Sequence, residues 1–366
     1  MSTSNTALSF TVEPANRLDP AAREAILVSP GFGKHFTDHM VSIEWTSENG
    51  WADARVMPYG PLVMDPASSV FHYGQEVFEG LKVYRHSDGS IWSFRPEENA
   101  RRLNASAARL ALPELPVETF VESLRQLVAA DADWVPTREG DSLYVRPFMI
   151  ADESFLGVRS AHKVRFMVIA CPVGPYFEAA VKPVSIWLST TYSRAGQGGT
   201  GEAKCGGNYA ASLLPLQEAY AQGCAQVLFT DTKDNDTIDE LGGMNIFFVI
   251  GDDTLVTPKL NGNILRGITR NSILQLARDR GLTVEERDVT VSEWRAGVES
   301  GTITEVFACG TAAVITPIGE LKAPDFSIGS PTAEPGTLTM SLREELTNIQ
   351  HGHAEDRHGW LVRLDR

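Results

Sequence analysis

Over the first half of the chain, apolar and polar positions alternate in short stretches at 41–45, 54–57, 80–84 and 91–94. A period of two belongs to strands with one face buried, so these stretches predict an antiparallel sheet. Pro96, followed by Glu97 and Glu98, then opens a helix, because proline suits a first-turn position and acids suit the positive end of the dipole. Its apolar side is Ala100, Leu103, Ala107 and Leu110. A second helix is predicted over 117–130, with Phe120, Val121, Leu124 and Val128 at helical spacing, and strands follow at 142–150 and 164–170. Two prolines and a glycine break both periods in 171–177, which reads as an interdomain linker. Beyond it lie strands at 184–189, 226–230, 246–250, 254–257 and 304–308, interleaved with helices near 208–222, 270–280 and 338–349. The pattern predicts an α+β fold of two domains, 1–170 and 178–366, either side of that linker.

Composition narrows the function. With 43% hydrophobic and 22% charged residues, the chain has the makeup of a globular protein. A net charge of -15 repels phosphate backbones and anionic membranes, which argues against nucleic-acid and membrane partners. No apolar run is long enough to span a bilayer and the first residues carry no signal pattern, so a cytoplasmic location is expected. Cys171, Cys205, Cys224 and Cys309 are far apart, without metal-ligand spacing, and are expected to be reduced. His351, His353 and His358 read as part of a solvated polar terminus, and no metal is expected.

Four segments carry candidate chemistry. Gly198-Gly-Thr-Gly-Glu-Ala-Lys204 delivers one lysine on a glycine-dense loop directly before an amphipathic helix. Alone it could be an ordinary surface lysine. Asp239-Glu240 precedes the apolar strand at 246–250, putting a carboxylate at the mouth of a buried element where it needs a partner. That acid could simply cap a turn, or it could hold a proton on a pyridine nitrogen, as a pyridoxal enzyme requires. Gly267-Ile268-Thr269 starts a helix whose N–H groups can cradle a phosphate, although Thr and Asn more often serve as plain N-caps. Cys309-Gly-Thr311-Ala312-Ala313 ends a strand with small residues that let a ligand approach the backbone.

A lysine loop, a strand-mouth acid, a Gly-Ile-Thr helix start and a Gly-Thr-Ala turn, in that order, resemble the branched-chain amino acid aminotransferases of the fold-type IV group of pyridoxal-phosphate enzymes. The resemblance runs from Phe32-Gly-Lys-His-Phe-Thr-Asp-His-Met40 through His72-Tyr73-Gly-Gln-Glu-Val-Phe78-Glu-Gly-Leu-Lys82 and Tyr144-Val-Arg146-Pro to Lys204-Cys-Gly-Gly-Asn-Tyr209 and Glu240-Leu-Gly-Gly-Met-Asn245. It implies a small N-terminal α/β domain and a larger C-terminal domain with a mainly β pseudo-barrel core. It implies pyridoxal 5'-phosphate as cofactor, with Lys204 as its covalent anchor and catalytic base. Glu240 would meet the ring nitrogen, Tyr209 the ring hydroxyl and Leu265 the ring face. Arg102, Gly267, Ile268, Thr269 and Thr311 would hold the phosphate. Arg101 points about 100° away on the same helix, and the family register selects Arg102.

The resemblance further implies a substrate pocket of Phe32, Phe78 and Tyr144, with Tyr73, Leu156 and Val158 arriving from a second subunit, so that a homodimer completes the site. Each of these aromatics could equally be core packing. Arg146 would serve the distal carboxylate of glutamate, while Gly243, Ala312 and Ala313 would meet the substrate carboxylate through backbone N–H groups. The implied reaction moves the amino group of leucine, isoleucine or valine to 2-oxoglutarate, giving L-glutamate by a ping-pong cycle. Two departures stand out: Ala313 and Thr316 occupy the places of a Cys-x-x-Cys pair in animal relatives, and Gly243 replaces a threonine of some others. D-amino acid transaminases and aminodeoxychorismate lyase share the lysine, glutamate and phosphate cradle but lack the Phe-Thr-Asp-His-Met and Gln-x-Val-Phe-Glu-Gly blocks. A pyridoxal-phosphate carrier without turnover would have no use for Tyr209, Glu240 and Arg146 together.

Overall fold

The structure is a computed structural model, described for residues 8–175, 181–329 and 334–366. It comprises two compact units, Met1–Tyr176 with Gln350–Arg366, and Phe177–Ile349.

A nine-stranded sheet forms the first unit, ordered Thr11–Val12, Gly50–Pro58, His39–Thr46, Lys163–Val173, Ser142–Ala151, Leu81–Arg85, Ile91–Phe94 and Leu361–Arg363, with Glu76–Phe78 also on Ser142–Ala151. All pairings are antiparallel except the parallel one of Thr11–Val12 with Gly50–Pro58. The helices Pro96–Arg109 and Val117–Asp131 pack on each other, and the second covers the sheet. Phe120 meets Phe166 of the sheet there, with ring centroids 6.0 Å apart. Of the predicted apolar stripe, Ala100, Leu103 and Ala107 are buried, while Leu110 caps the helix half-buried. Burying a side chain the size of Leu103 or Phe120 contributes roughly 1.5–3 kcal/mol.

The boundaries depart from expectation at both ends of the second domain. Residues 171–173, expected in the linker, are the last of the strand Lys163–Val173, whose pairing with Ser142–Ala151 continues through Val173. The rest of that expected linker is described only for 174 and 175. The tail, expected in the domain 178–366 and as a solvated terminus, belongs to the first unit. Leu361–Arg363 pairs antiparallel with Ile91–Phe94, and Trp360 sets its ring edge-on to Phe94 at 5.4 Å. His351 is half-buried against Tyr84 with centroids 4.8 Å apart, and burial lowers its pKa to about 4. This leaves the two units of similar length rather than small and large.

The second unit carries another nine-stranded sheet, ordered Ile238–Leu241, Gln226–Thr230, Val184–Leu188, Val314–Lys322, Ile303–Gly310, Asn245–Ile250, Thr254–Pro258 and Thr283–Arg287, with Ser327–Gly329 on Val314–Lys322. It mixes parallel and antiparallel pairs. Its core includes Ile186, Leu228, Ile246, Phe248, Val256, Trp294 and Val306. The helices Gly206–Ala221, Ile268–Asp279 and Thr337–Gln350 lie where helical periods predicted them. Among the elements missed by pattern were the helices Pro20–Val28 and Val291–Ser300 and the strands Ile238–Leu241, Thr283–Arg287 and Val314–Lys322. Val314–Lys322 carries Pro317 and Gly319, residues that weaken a strand signal, and its pairing with Val184–Leu188 shifts register between Ile318 and Glu320.

Candidate active site

All the expected cofactor residues except Arg102 lie in the second unit, in or next to the ends of helices and strands. Lys204 and Cys205 immediately precede the helix Gly206–Ala221, which places Tyr209 in its first turn. The Lys204 Nζ donates to Tyr209 Oη at 2.5 Å. Sequence reasoning missed what fixes this loop: buried Asn208 donates through Nδ2 to the Thr200 and Ala203 carbonyls at 2.7 and 2.8 Å, and its Oδ1 accepts from Thr200 Oγ1 at 2.8 Å. The glycine loop is therefore stapled to the helix that follows it.

Glu240, in the strand Ile238–Leu241, is 2% exposed. Its Oε1 accepts from the Leu265 N–H and pairs with the Arg194 guanidinium, each at 2.9 Å, and its Oε2 accepts from Asn245 Nδ2 at 2.9 Å. Burial pushes the carboxyl up to about 7, opposed chiefly by the Arg194 charge and the Leu265 N–H. Neither Arg194 nor Asn245 was singled out from sequence. Arg194 lies ten residues before the lysine without a recognisable motif, and Asn245 was quoted only as the end of the Glu240 segment.

Asn245 also donates to the Leu265 carbonyl at 3.0 Å, linking the acid to the loop that enters the helix Ile268–Asp279. Gly267 is the N-cap of that helix, and no side chain caps it. A Cβ on Gly267 would fall 2.0 Å from Asn245 Oδ1, so only glycine fits this approach. Thr269 is buried in the first turn, where helix N–H groups lack intrahelical acceptors. Thr311, Ala312 and Ala313 form the turn between Ile303–Gly310 and Val314–Lys322. Arg343 braces this turn, donating to the Ala313 and Ile315 carbonyls at 2.6 and 2.9 Å. Val314 follows with φ +63, a conformation that a β-branched residue seldom adopts. A Cβ on Gly243 would touch the Tyr209 ring at 3.9 Å, which puts Gly243 beside the lysine and tyrosine.

The first unit gathers the expected side-chain pocket. Phe32 and Tyr144 have centroids 5.1 Å apart. The Arg146 guanidinium lies 4.7 Å from the Phe78 ring centre and donates to Tyr144 Oη at 3.0 Å. Its Nε is buried with no hydrogen-bond partner among the described residues. Tyr73, Leu156 and Val158 sit on the surface, with Val158 89% exposed, and Tyr73 Oη donates to the Leu156 carbonyl. Arg102 grips fully buried Glu79 with Nε to Oε1 and Nη2 to Oε2, both 2.8 Å, and Asn99 Nδ2 joins at 2.7 Å. Glu79, unremarked from sequence beyond its place in the Phe78-Glu-Gly motif, thus fixes the arginine expected at the phosphate.

Residues 76–321 match the family described as amino-transferase class IV. This chain belongs to that family of aminotransferases. Among its relatives, the branched-chain-amino-acid aminotransferase of Mycolicibacterium smegmatis is 56% identical, aligned over 98% of this chain and 99% of that one. The enzyme of the same name from Mycobacterium tuberculosis is 55% identical, covering 98% of each. The crystal structure of Escherichia coli branched-chain amino acid aminotransferase superposes with a TM-score of 0.72 at 26% identity, covering 89% of this chain and 100% of that one. The crystal structure of the T.th. branched-chain amino acid aminotransferase with pyridoxamine 5'-phosphate gives 0.72 at 27% identity, over 88% and 99%.

The second unit fits the cofactor expected from the sequence. Glu240 Oε2 carries one donor where a carboxylate oxygen accepts about two, leaving a position for a ring N–H. The helix Ile268–Asp279 opens on Gly267 with no side-chain cap, and its first-turn N–H groups, which lack intrahelical acceptors, suit a phosphate.

Proposed function

We propose that this chain is a pyridoxal-phosphate-dependent branched-chain L-amino acid aminotransferase that exchanges amino groups between leucine, isoleucine or valine and L-glutamate through their 2-oxo acids. The observation that carries the reading is Lys204 Nζ held on Tyr209 Oη in the unit where Glu240 is buried among donors. Bound pyridoxal phosphate supplies an electron sink for the pair released when the substrate Cα–H bond breaks. Lys204 anchors that cofactor and, once displaced by substrate, takes the α-proton on Nζ and returns it as general acid. Tyr209 orients the amine, and Glu240 holds the ring nitrogen through Oε2. Gly267, Ile268, Thr269 and Thr311, with Arg102, bind phosphate through backbone N–H, hydroxyl and guanidinium donors.

Phe32, Phe78 and Tyr144 take the apolar side chain. The buried Arg146 Nε without an acceptor supports a role on the distal carboxylate of glutamate. Gly243, Ala312 and Ala313 present backbone N–H groups to the substrate carboxylate, and Leu265 packs on the ring. The exposure of Tyr73, Leu156 and Val158 supports their reaching the site of a second copy in a homodimer. No helix among the described residues is long and apolar enough to cross a membrane, and we place the enzyme in the cytoplasm.

The test is the visible spectrum of the cofactor-loaded protein before and after L-leucine, without any keto acid. Loss of the yellow band with one equivalent of 4-methyl-2-oxopentanoate is expected. A band that persists with L-leucine and bleaches with a D-amino acid overturns the L-specific reading.

A further inference from the structure

We infer that Arg194 is a positioning residue for the cofactor ring: its guanidinium occupies Glu240 Oε1 and keeps that buried carboxylate charged, so that Oε2 is dedicated to the ring nitrogen. The inference rests on the assignment of Glu240 proposed above.

Arg194 is 6% exposed, and three chain segments meet on it. Its Nη1 forms an ion pair with Glu240 Oε1 at 2.9 Å and donates to the Asn263 carbonyl at 2.9 Å, and both Nη1 and Nη2 reach the Gly201 carbonyl, at 3.2 and 3.3 Å. Gly201 lies on the lysine loop and Asn263 on the loop leading to Leu265. These loops press together so closely that a Cβ on Gly201 would fall 2.5 Å from the Asn263 Cα. Asn263 is itself held, its Nδ2 on Asp239 Oδ2 at 3.3 Å, while Asn261 Nδ2 takes Oδ1 at 3.0 Å. One guanidinium therefore ties the lysine loop, the Leu265 loop and the acid strand into a single frame.

The two carboxylate oxygens are not equivalent. Oε1 accepts from the Leu265 N–H and lies 2.9 Å from the Arg194 guanidinium in an ion pair; Oε2 accepts only from Asn245 and faces no cation among the described residues. A ring N–H arriving at Glu240 finds its acceptor on Oε2. The charged groups acting on Glu240 are Arg194 and Lys204, which favour the carboxylate, and Asp239, which opposes it. With Arg194 gone, the larger of the two charges favouring the carboxylate is lost while desolvation and Asp239 remain, which shifts the acid towards its neutral form and weakens its hold on a proton at a pyridine nitrogen. Lysine is an incomplete substitute, because a point charge cannot span a carboxylate and two carbonyls as a planar fork does.

The experiment loads the holoenzyme with cofactor labelled with 15N at the ring nitrogen and reads its NMR shift, which reports protonation independently of turnover. Wild type should show the protonated shift, and R194M should move to the unprotonated shift given by E240Q. An R194M protein with the wild-type shift, altered only in thermal stability, overturns the inference. Should R194M not fold, R194K serves. Its ring nitrogen should lose the proton about one pH unit lower than in wild type, within the usual size of a single-charge effect, and an unchanged titration overturns the inference. If E240Q itself leaves the shift protonated, the assignment of Glu240 fails first, and the role of Arg194 falls with it.

Discussion

Replacing Gly267 with alanine sets two effects against each other. The backbone there has φ -64 and ψ 129, which alanine adopts freely. By restricting the unfolded chain, the change should on that ground alone stabilise by about 0.4–1 kcal/mol. Against this, the new Cβ falls 2.0 Å from Asn245 Oδ1 and 3.1 Å from Arg270 Cβ. Asn245 cannot yield cheaply, because its Nδ2 bonds both Glu240 Oε2 and the Leu265 carbonyl, at 2.9 and 3.0 Å. Overpacking costs about 1–3 kcal/mol, and losing a hydrogen bond to a charged group about 1.5–3 kcal/mol more. The contact wins, with a net loss of about 1.5–5.5 kcal/mol. In a unit of this size that lowers Tm by roughly 2–4 °C per kcal/mol. Thermal unfolding of the cofactor-free protein measures the loss, and equilibrium dialysis should show cofactor affinity falling about tenfold or more, a loss of at least 1.4 kcal/mol at the phosphate cradle. A G267A protein with unchanged Tm and unchanged affinity would refute both the locked asparagine and the need for glycine at this approach.

Tyr144→Phe removes the phenol that accepts from Arg146 at 3.0 Å. It should lower kcat/KM for 2-oxoglutarate by about tenfold while changing that for L-leucine by less than about threefold, since only the dicarboxylate uses the arginine; equal losses in both half-reactions would remove Arg146 from substrate recognition. His351, with its pKa lowered to about 4 by burial and then by the nearby His353, Lys82 and His86, stays neutral in the fold while the unfolded chain takes up a proton below about pH 6.5. Stability from this group is complete above that pH and drains away as pH falls towards 4, by ~2 kcal/mol allowing for the part of the ring that meets water. Urea unfolding at pH 7 and pH 5 should therefore show a smaller acid-induced loss in H351Q than in wild type, and parallel losses count against the buried neutral imidazole.

Much of this architecture is legible in sequence wherever a segment buries one regular face. The helix Val117–Asp131 and residues 54–57 of the strand Gly50–Pro58 show their periods because one side is buried and the other meets water. The strand Thr283–Arg287 could not be seen the same way, since an edge strand of Thr-Val-Glu-Glu-Arg has no buried face to mark it. In the site, Lys204, Glu240 and Gly267 stood out because a lysine on a glycine loop, an acid against an apolar strand and a glycine before a helix are locally unusual. Arg194, Asn208, Asn245 and Glu79 did not, because their partners lie in hydrogen-bonding positions that only the folded chain creates. Pattern reading finds groups whose neighbours in sequence make them odd, and it passes over those whose partners are distant in sequence.

The strand Leu361–Arg363 completes the edge of a sheet whose other strands all come from the first 173 residues. On a ribosome, the whole second unit is made before this strand exists. Through that interval Ile91–Phe94 presents an unpaired edge, the kind of surface that recruits strands from other chains. The last residues therefore act as a built-in edge guard whose timing is set by translation, and a nascent chain stalled or cleaved just short of Trp360 would carry a finished second unit and a first unit still open to mispairing.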